Sequence, residues 1–410
     1  MATMTTADEA RAHLLGVYAP TPHLFVRGEG SWLVDEQGER FLDFTSGIAV
    51  TALGHGHPAV TRALREAADS GLIHTSNLFR TAPAEELARQ LATHSGLDRV
   101  FFCNSGGEAV EASLKFARRW ARSGADASDR FGVVALRGAF HGRLFGSLAV
   151  TDRPRYREPF EPLMPGAVFV DPMDPDALER LDPSTIAALI AEPIQGEGGV
   201  QPLPYDALVR FREWTARHGI ALILDEIQCG LGRTGTLFAH EGAGVRPDIL
   251  TLAKPLAGGL PMGAVLMTEE VARAVQPGDH GTTFGGGPLV ASVALAVLEE
   301  IADADFLAEV RRKGELLQEL LEGLRSRHPE RLVDLRGRGL MRGLCLAESV
   351  APVIRAAQER GLLLVGAGPH VIRLLPPLNV LDGEVEEAVR ILEAALEAVP
   401  FATVAQQAAS

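Results

Sequence analysis

From about residue 84 the chain alternates short apolar runs with helix-length amphipathic segments, and that alternation leaves few folds open. Runs such as Val133-Val134-Ala135-Leu136, Ala187-Ala188-Leu189-Ile190-Ala191 and Ala221-Leu222-Ile223-Leu224 have no polar face. Strands of this kind, separated by helices, build a mostly parallel sheet covered on both sides. The expected class is therefore α/β. Such sheets place their ligands at the carboxyl ends of the strands, so the residues that close these runs are the candidates for chemistry.

Two of those ends matter most. Asp248-Ile249-Leu250-Thr251-Leu252-Ala253-Lys254-Pro255 reads as an apolar strand that ends in a lysine and is stopped by a proline. The chain has only three lysines. Lys115 lies four residues after Glu111, the spacing of a solvent-facing helix pair, and Lys313 belongs to a charged helical stretch. Lys254 alone stands where burial can lower its pKa and free the amine as a nucleophile. Taken by itself the stretch suits a snorkelling strand-end lysine equally well. The second end is Asp225-Glu226, after Ala221-Leu222-Ile223-Leu224 and before the glycine-rich Gly230-Leu231-Gly232-Arg233-Thr234-Gly235. A strand ending in two acids could bind magnesium in a phosphate-loop ATPase, which also needs a Gly-Lys-Ser/Thr loop. The three lysines are followed by Phe116, Pro255 and Gly314, so that reading is excluded. What remains is a carboxylate and a reactive lysine at the ends of two parallel strands, the pair that pyridoxal phosphate requires.

At 410 residues the chain is long enough for two domains, and a net charge of -14 argues against nucleic-acid binding, which wants a basic face. No apolar run reaches membrane-spanning length, and Met1 to Glu9 lacks both the basic region and the apolar core of a secretion signal. Three scattered cysteines, Cys103, Cys229 and Cys345, suit a reducing compartment, so a cytoplasmic protein is expected. His55 and His57 share a loop but have no matching carboxylate or cysteine spacing, so no metal site is expected.

In chain order, Leu24 to Arg27 and Trp32 to Val34 read as hairpin strands, and Ala59 to Ser70 as a helix closed by Gly71. Val100-Phe101-Phe102-Cys103 is a strand, Asn104-Ser105-Gly106-Gly107 a tight loop, and Val110, Leu114, Ala117 and Ala121 then recur at helical spacing. A strand, a small-residue loop and a helix start together make a phosphate cradle. Phe140, on the loop after Val133–Leu136, suits either the core or a planar ring. Thr282 and Thr283 sit on a glycine-rich loop and offer a second phosphate contact. Residues 206–218 read as a helix capped at Gly219. Beyond residue 300 come a charged helix (Phe306 to His328), short strands at Leu332-Val333 and Leu344 to Leu346, a helix from Val350 to Arg360, and strands at Leu362 to Val365 and Val371 to Leu375. The expected organisation is a large domain over 50–300 and a smaller, discontinuous α+β domain from 1–49 and 301–410. The tail from Ala402 is expected to fray.

These motifs resemble those of class III, pyridoxal-phosphate-dependent ω-aminotransferases, from about Tyr18 to about Val380. The segments that carry the likeness are Asn104 to Ala109, Phe140-His141-Gly142-Arg143, Glu192 to Gly199, Asp225-Glu226-Ile227-Gln228, Ala253-Lys254 and Arg373 to Leu378. Within the class they are most similar to the acetylornithine branch. The resemblance implies the type I, aspartate-aminotransferase-like fold, a homodimer, and transfer of a terminal amino group to 2-oxoglutarate. It also implies site roles. Lys254 carries the cofactor covalently, and Asp225 pairs with the pyridine nitrogen. Gly106 and Gly107 hold the phosphate, with Thr283 of the neighbouring subunit. Phe140 stacks on the ring, and Gln228 bonds its hydroxyl. Arg143 takes the α-carboxylate of an acylated substrate, and Arg373 that of glutamate or 2-oxoglutarate, with Glu197 as its movable partner. Thr282 falls on the substrate side. On residues alone, Arg143 would be a solvated loop arginine. The same resemblance leaves open ornithine, succinylornithine and carrier-protein-bound lysine as substrates, and an aminomutase of the same fold. Gly107, Cys229 and Gly287 depart from the residues usual in the class, Thr or Ala, Thr, and Asn respectively.

Overall fold

The computed structural model describes residues 13–123 and 130–401. The Met1 to Glu9 start and the tail from Ala402 lie outside the described residues. Seven strands form the large sheet, numbered here along the chain: β1 (Arg99–Cys103), β2 (Gly132–Leu136), β3 (Ala167–Val170), β4 (Ile186–Ala191), β5 (Ala221–Asp225), β6 (Ile249–Leu252) and β7 (Gly263–Met267). Their spatial order is β1-β7-β6-β5-β4-β2-β3. β2 to β6 pair in parallel, and β7 runs antiparallel between β6 and β1. Every residue of β2, β4, β5 and β6 is buried, which accounts for runs with no polar face. Each Leu or Ile removed from water there contributes roughly 1.5–3 kcal/mol before ordering costs.

Helices cover the sheet as the periodicity predicts. Gly106–Ala121 follows β1, and Tyr205–His218 precedes β5 and ends at left-handed Gly219 (φ 61°). Pro58–Asp69 follows the histidine loop, where His55 Nε2 lies 2.9 Å from Asp43 Oδ2. The expected pairing of Lys115 with Glu111 does not form. Glu111 instead accepts from the Gly146 and Ser147 amides (2.7 and 2.9 Å), while Lys115 Nζ lies 2.7 Å from His280 Nδ1. Two strands of the large sheet, β3 and β7, escape the sequence reading, because neither run stands out from its loop-rich surroundings.

A correction concerns Leu362 to Val365, read above as one strand. Leu362–Leu363 pairs in parallel with Leu42–Asp43, whereas Val365–Gly366 pairs antiparallel with Ile372–Arg373. The run divides because each half satisfies the open edge of a different sheet. Strand Val371–Leu374 is thereby enclosed, with Arg373 opposite Gly343 on one side and Val365 on the other. The hairpin Leu332–Arg338 and Met341–Leu346 completes that sheet and is longer than its short apolar stretches suggest. The amino-terminal strands dock on the same carboxyl-terminal region, where Glu384 accepts hydrogen bonds from Ser31 (2.8 Å) and Trp32 (2.7 Å). One apolar core runs from Leu42 and Phe44 through β4 and β5 to Leu374 and Leu392. Among the described residues, no helix is long and apolar enough to cross a membrane.

Candidate active site

Asp225 closes β5 and is only 4% exposed. Its Oδ1 accepts hydrogen bonds from the Ile227 amide (3.1 Å) and from Thr251 Oγ1 (3.2 Å), and its Oδ2 lies 2.7 Å from His141 Nδ1. Thr251 stands beside Asp225 because the β5–β6 register pairs them. Three donors from separate elements thus surround a buried carboxylate. His141 is buried too. Burial alone would lower its pKa, but the bond to Asp225 and that group's charge outweigh burial and raise it. Two residues after β6, Lys254 enters the same region. Burial lowers its pKa to about 8, and the charge of Arg373 adds to the effect.

At the start of helix Gly106–Ala121, Ser105 caps the helix by accepting from the Glu108 amide at 3.2 Å. Glu108 turns its carboxylate back onto the Asn104 amide (2.5 Å), away from the first-turn glycines. A Cβ on Gly106 would stand 2.9 Å from Ile227 Cγ2, so a side chain there collides with the residue next to the Asp225 loop. A Cβ on Gly107 would meet Leu144 at an ordinary 3.5 Å. The helix start thus offers amides at the end of a sixteen-residue dipole, shaped for an anion.

Around these groups stand two arginines and their neighbours. Arg373 is 2% exposed, and its Nη1 donates to Glu197 Oε1 (2.5 Å) and to Gln228 Oε1 (2.9 Å). Its buried Nε has no hydrogen-bond partner among the described residues, a donor available to an arriving carboxylate. Gln228 commits its oxygen to Arg373, which leaves its amide NH2 free to donate. Phe140 is half-buried beside the exposed Arg143, whose guanidinium carbon lies 5.8 Å from the Phe140 ring centre. Gly142, at φ 133°, makes the turn that presents Arg143. Thr282 Oγ1 accepts from Asn104 Nδ2 at 3.0 Å, and Thr283 next to it is exposed. The structure therefore gathers Lys254, Asp225, Gln228, Arg373 and Glu197 into one site, with Gly106 and Phe140 at its walls. It leaves Thr283 and Arg143 facing outward.

Three residues with no role in the sequence reading belong here: His141, Thr251 and Glu192. Glu192 follows β4 as Asp225 ends β5, and the same pattern of an apolar run closed by a carboxylate would have found it. Its oxygens accept from the Phe140 amide (2.9 Å) and the Gly196 amide (3.2 Å), tying together the loops that carry Phe140 and Glu197. Burial, reinforced by the nearby charge of Asp225, pushes its pKa up to about 7.

A carboxylate for a pyridinium, a lysine for an aldehyde, helix-start amides for a phosphate and an aromatic wall form a donor set that fits pyridoxal phosphate. Residues 17–396 match the family model of the class III aminotransferases. The chain belongs to that family. This class III aminotransferase is 45% identical to the acetylornithine aminotransferase of Mesorhizobium japonicum, over 93% of this chain and 95% of the relative. It is also 45% identical to that of Xanthomonas campestris, over 97% and 99%. Among solved structures, N-acetylornithine aminotransferase from Stenotrophomonas maltophilia superposes with a TM-score of 0.80 at 39% identity, covering 93% of this chain and 97% of that one. Ornithine aminotransferase from Toxoplasma gondii superposes at 0.90 with 32% identity, over 95% and 94%. The aminotransferase thus has the type I fold of the pyridoxal-phosphate enzymes, and it passes amino groups between amino acids and 2-oxo acids with that cofactor.

Two outcomes follow from the local geometry. In the cofactor-free aminotransferase, Lys254 should become reactive toward an amine acylating reagent with a midpoint near pH 8, because the neutral amine appears above its lowered pKa of about 8. Peptide mapping across a pH series reads this, and a midpoint near that of an ordinary lysine contradicts it. Gly106→Ala should lose most cofactor retention while Gly107→Ala keeps it, as measured by bound cofactor after gel filtration. Equal retention in both would show that the clash with Ile227 does not matter.

Proposed function

We propose that the enzyme moves the terminal amino group of N2-acetyl-L-ornithine to 2-oxoglutarate, giving N-acetylglutamate 5-semialdehyde and glutamate. The observation that carries this reading is the closed Arg373–Glu197 pair. Acetylornithine reacts at an amine far from its carboxylate, whereas glutamate reacts at the carbon that bears its α-carboxylate. One site must therefore offer a near carboxylate-binding group in only one half-reaction. An unpaired arginine facing a methylene chain would be costly, so a movable counter-charge resolves the conflict. Arg373 is buried and held by Gln228, while Glu197 is 28% exposed and has room to leave. The names of the relatives support the same substrate.

Pyridoxal phosphate, when bound, supplies a ring that withdraws electrons from the substrate carbon bearing the nitrogen. The chain's own groups do the rest. Lys254 Nζ, whose pKa burial lowers to about 8, would take the proton from that carbon and hold it for return. Asp225, anchored by Thr251, Ile227 and His141, would hold the ring-nitrogen proton in place. Phe140 would cover one ring face, and the Gly106 and Gly107 amides would fix the phosphate. Arg143 receives the distal carboxylate of acetylornithine, and Arg373 receives that of 2-oxoglutarate as Glu197 swings aside. Thr282 borders the substrate side.

The reading includes a two-fold dimer. Leu78 (86% exposed), Phe79 and Phe284 form an apolar surface around Thr283, along a 230 Å³ cavity between residues 74–85 and 283–288. A surface of this kind suits burial against a second copy, with Thr283 completing the partner's phosphate site. The large unit of 50–300 and the smaller one of 1–49 and 301–410 would then meet at the active site. All three cysteines are free and buried, in keeping with a cytoplasmic enzyme.

Stopped-flow measurement of each half-reaction tests the switch. Glu197→Gln should slow the acetylornithine half-reaction at least roughly tenfold while leaving glutamate binding intact or tighter. Equal slowing of both half-reactions would contradict it.

A further inference from the structure

We propose that Tyr156 is the positioning residue for Arg143, and that it sets the enzyme's affinity for substrates with a distal carboxylate. The inference rests on the acetylornithine reading above. Arg143 lies on the loop after β2, is exposed, and has no carboxylate partner among the described residues. Its guanidinium carbon stands 3.4 Å from the centre of the Tyr156 ring, far closer than the 5.8 Å to Phe140. A guanidinium laid on an aromatic face keeps its N–H edges free, and those edges match a carboxylate two bonds at a time. Without the ring, an exposed arginine samples many rotamers and must be ordered again at each binding event.

Tyr156 is itself firmly placed. It belongs to the short helix Pro154–Arg157, and its amide donates to the Arg153 carbonyl at 2.9 Å. Arg153 in turn donates to the Glu197 carbonyl at 2.7 Å. The turn from Arg153 to Tyr156 therefore joins the arginine that would hold the distal carboxylate to the backbone of the residue that switches Arg373. Tyr156 and Glu197 also line the same cavity of 430 Å³, along with Arg153, His370 and Val371. The side chain of Glu197 can turn while its backbone stays anchored to the turn that carries Tyr156.

The stack needs a ring and no hydroxyl, so the test separates the two. In the holoenzyme, Tyr156→Leu should weaken acetylornithine binding in its half-reaction by roughly two- to thirty-fold, the range of a cation–π contact, with little change in the limiting rate. The same variant should handle 1,4-diaminobutane, which has the amine without the carboxylate, and glutamate as the parent does. Tyr156→Phe should restore acetylornithine binding. If Tyr156→Leu does not fold, fluorinated phenylalanines at position 156 give the readout, since affinity should fall as fluorine withdraws charge from a ring of constant shape. Unchanged acetylornithine affinity in Tyr156→Leu, or a flat fluorine series, would overturn the proposal while the substrate reading stands. A parent enzyme that prefers 1,4-diaminobutane to acetylornithine would overturn that reading, and the proposal with it.

Discussion

The charge on Asp225 is the constraint on which the site depends. A carboxylate at the closed end of a buried strand is costly to ionise unless donors surround it. Here that cost is offset from three directions: the turn that follows β5 supplies the Ile227 amide, the neighbouring strand supplies Thr251, and the loop after β2 supplies His141. Each donor belongs to a different part of the sheet. The three donors come together only when β2, β5 and β6 are assembled, so the sheet order and the chemistry are parts of one arrangement.

The same loops carry the residues proposed to meet the substrates. The segment after β2 carries Phe140, His141 and Arg143 close together, and Glu192 binds its backbone to the loop that carries Glu197. Under the proposed switch, a fixed backbone with a turning Glu197 side chain would let one pocket take two substrates of different shape. Lys254 benefits from the same burial, because a low-polarity setting that penalises an ammonium leaves its amine neutral at lower pH.

How much of this is legible in the sequence follows from what leaves a local mark. Asp225 and Lys254 are visible because a charged residue ends an otherwise apolar run, and the parallel β5–β6 pair then brings both to the same end of the sheet. The glycine loop before Val110, Leu114 and Ala117 is visible from spacing. Thr251 is hidden, because a lone threonine within a strand reads as core until the register shows what faces it. Tyr156 is hidden as well, since its contact with Arg143 joins two separate turns with no periodicity between them. The division of Leu362 to Val365 between two sheets is illegible for a similar reason: strand partners are set by distant edges, not by the run itself.

The central claim is that an ionised Asp225 governs catalysis through the cofactor ring. The most direct measurement is the glutamate half-reaction of Asp225→Asn in the cofactor-loaded enzyme, followed by stopped-flow absorbance. The side chain keeps its size and much of its hydrogen bonding but loses its charge. Retained cofactor with a rate lower by roughly 10²- to 10⁴-fold is the expected result. Retained cofactor with a rate close to that of the parent enzyme would contradict the account.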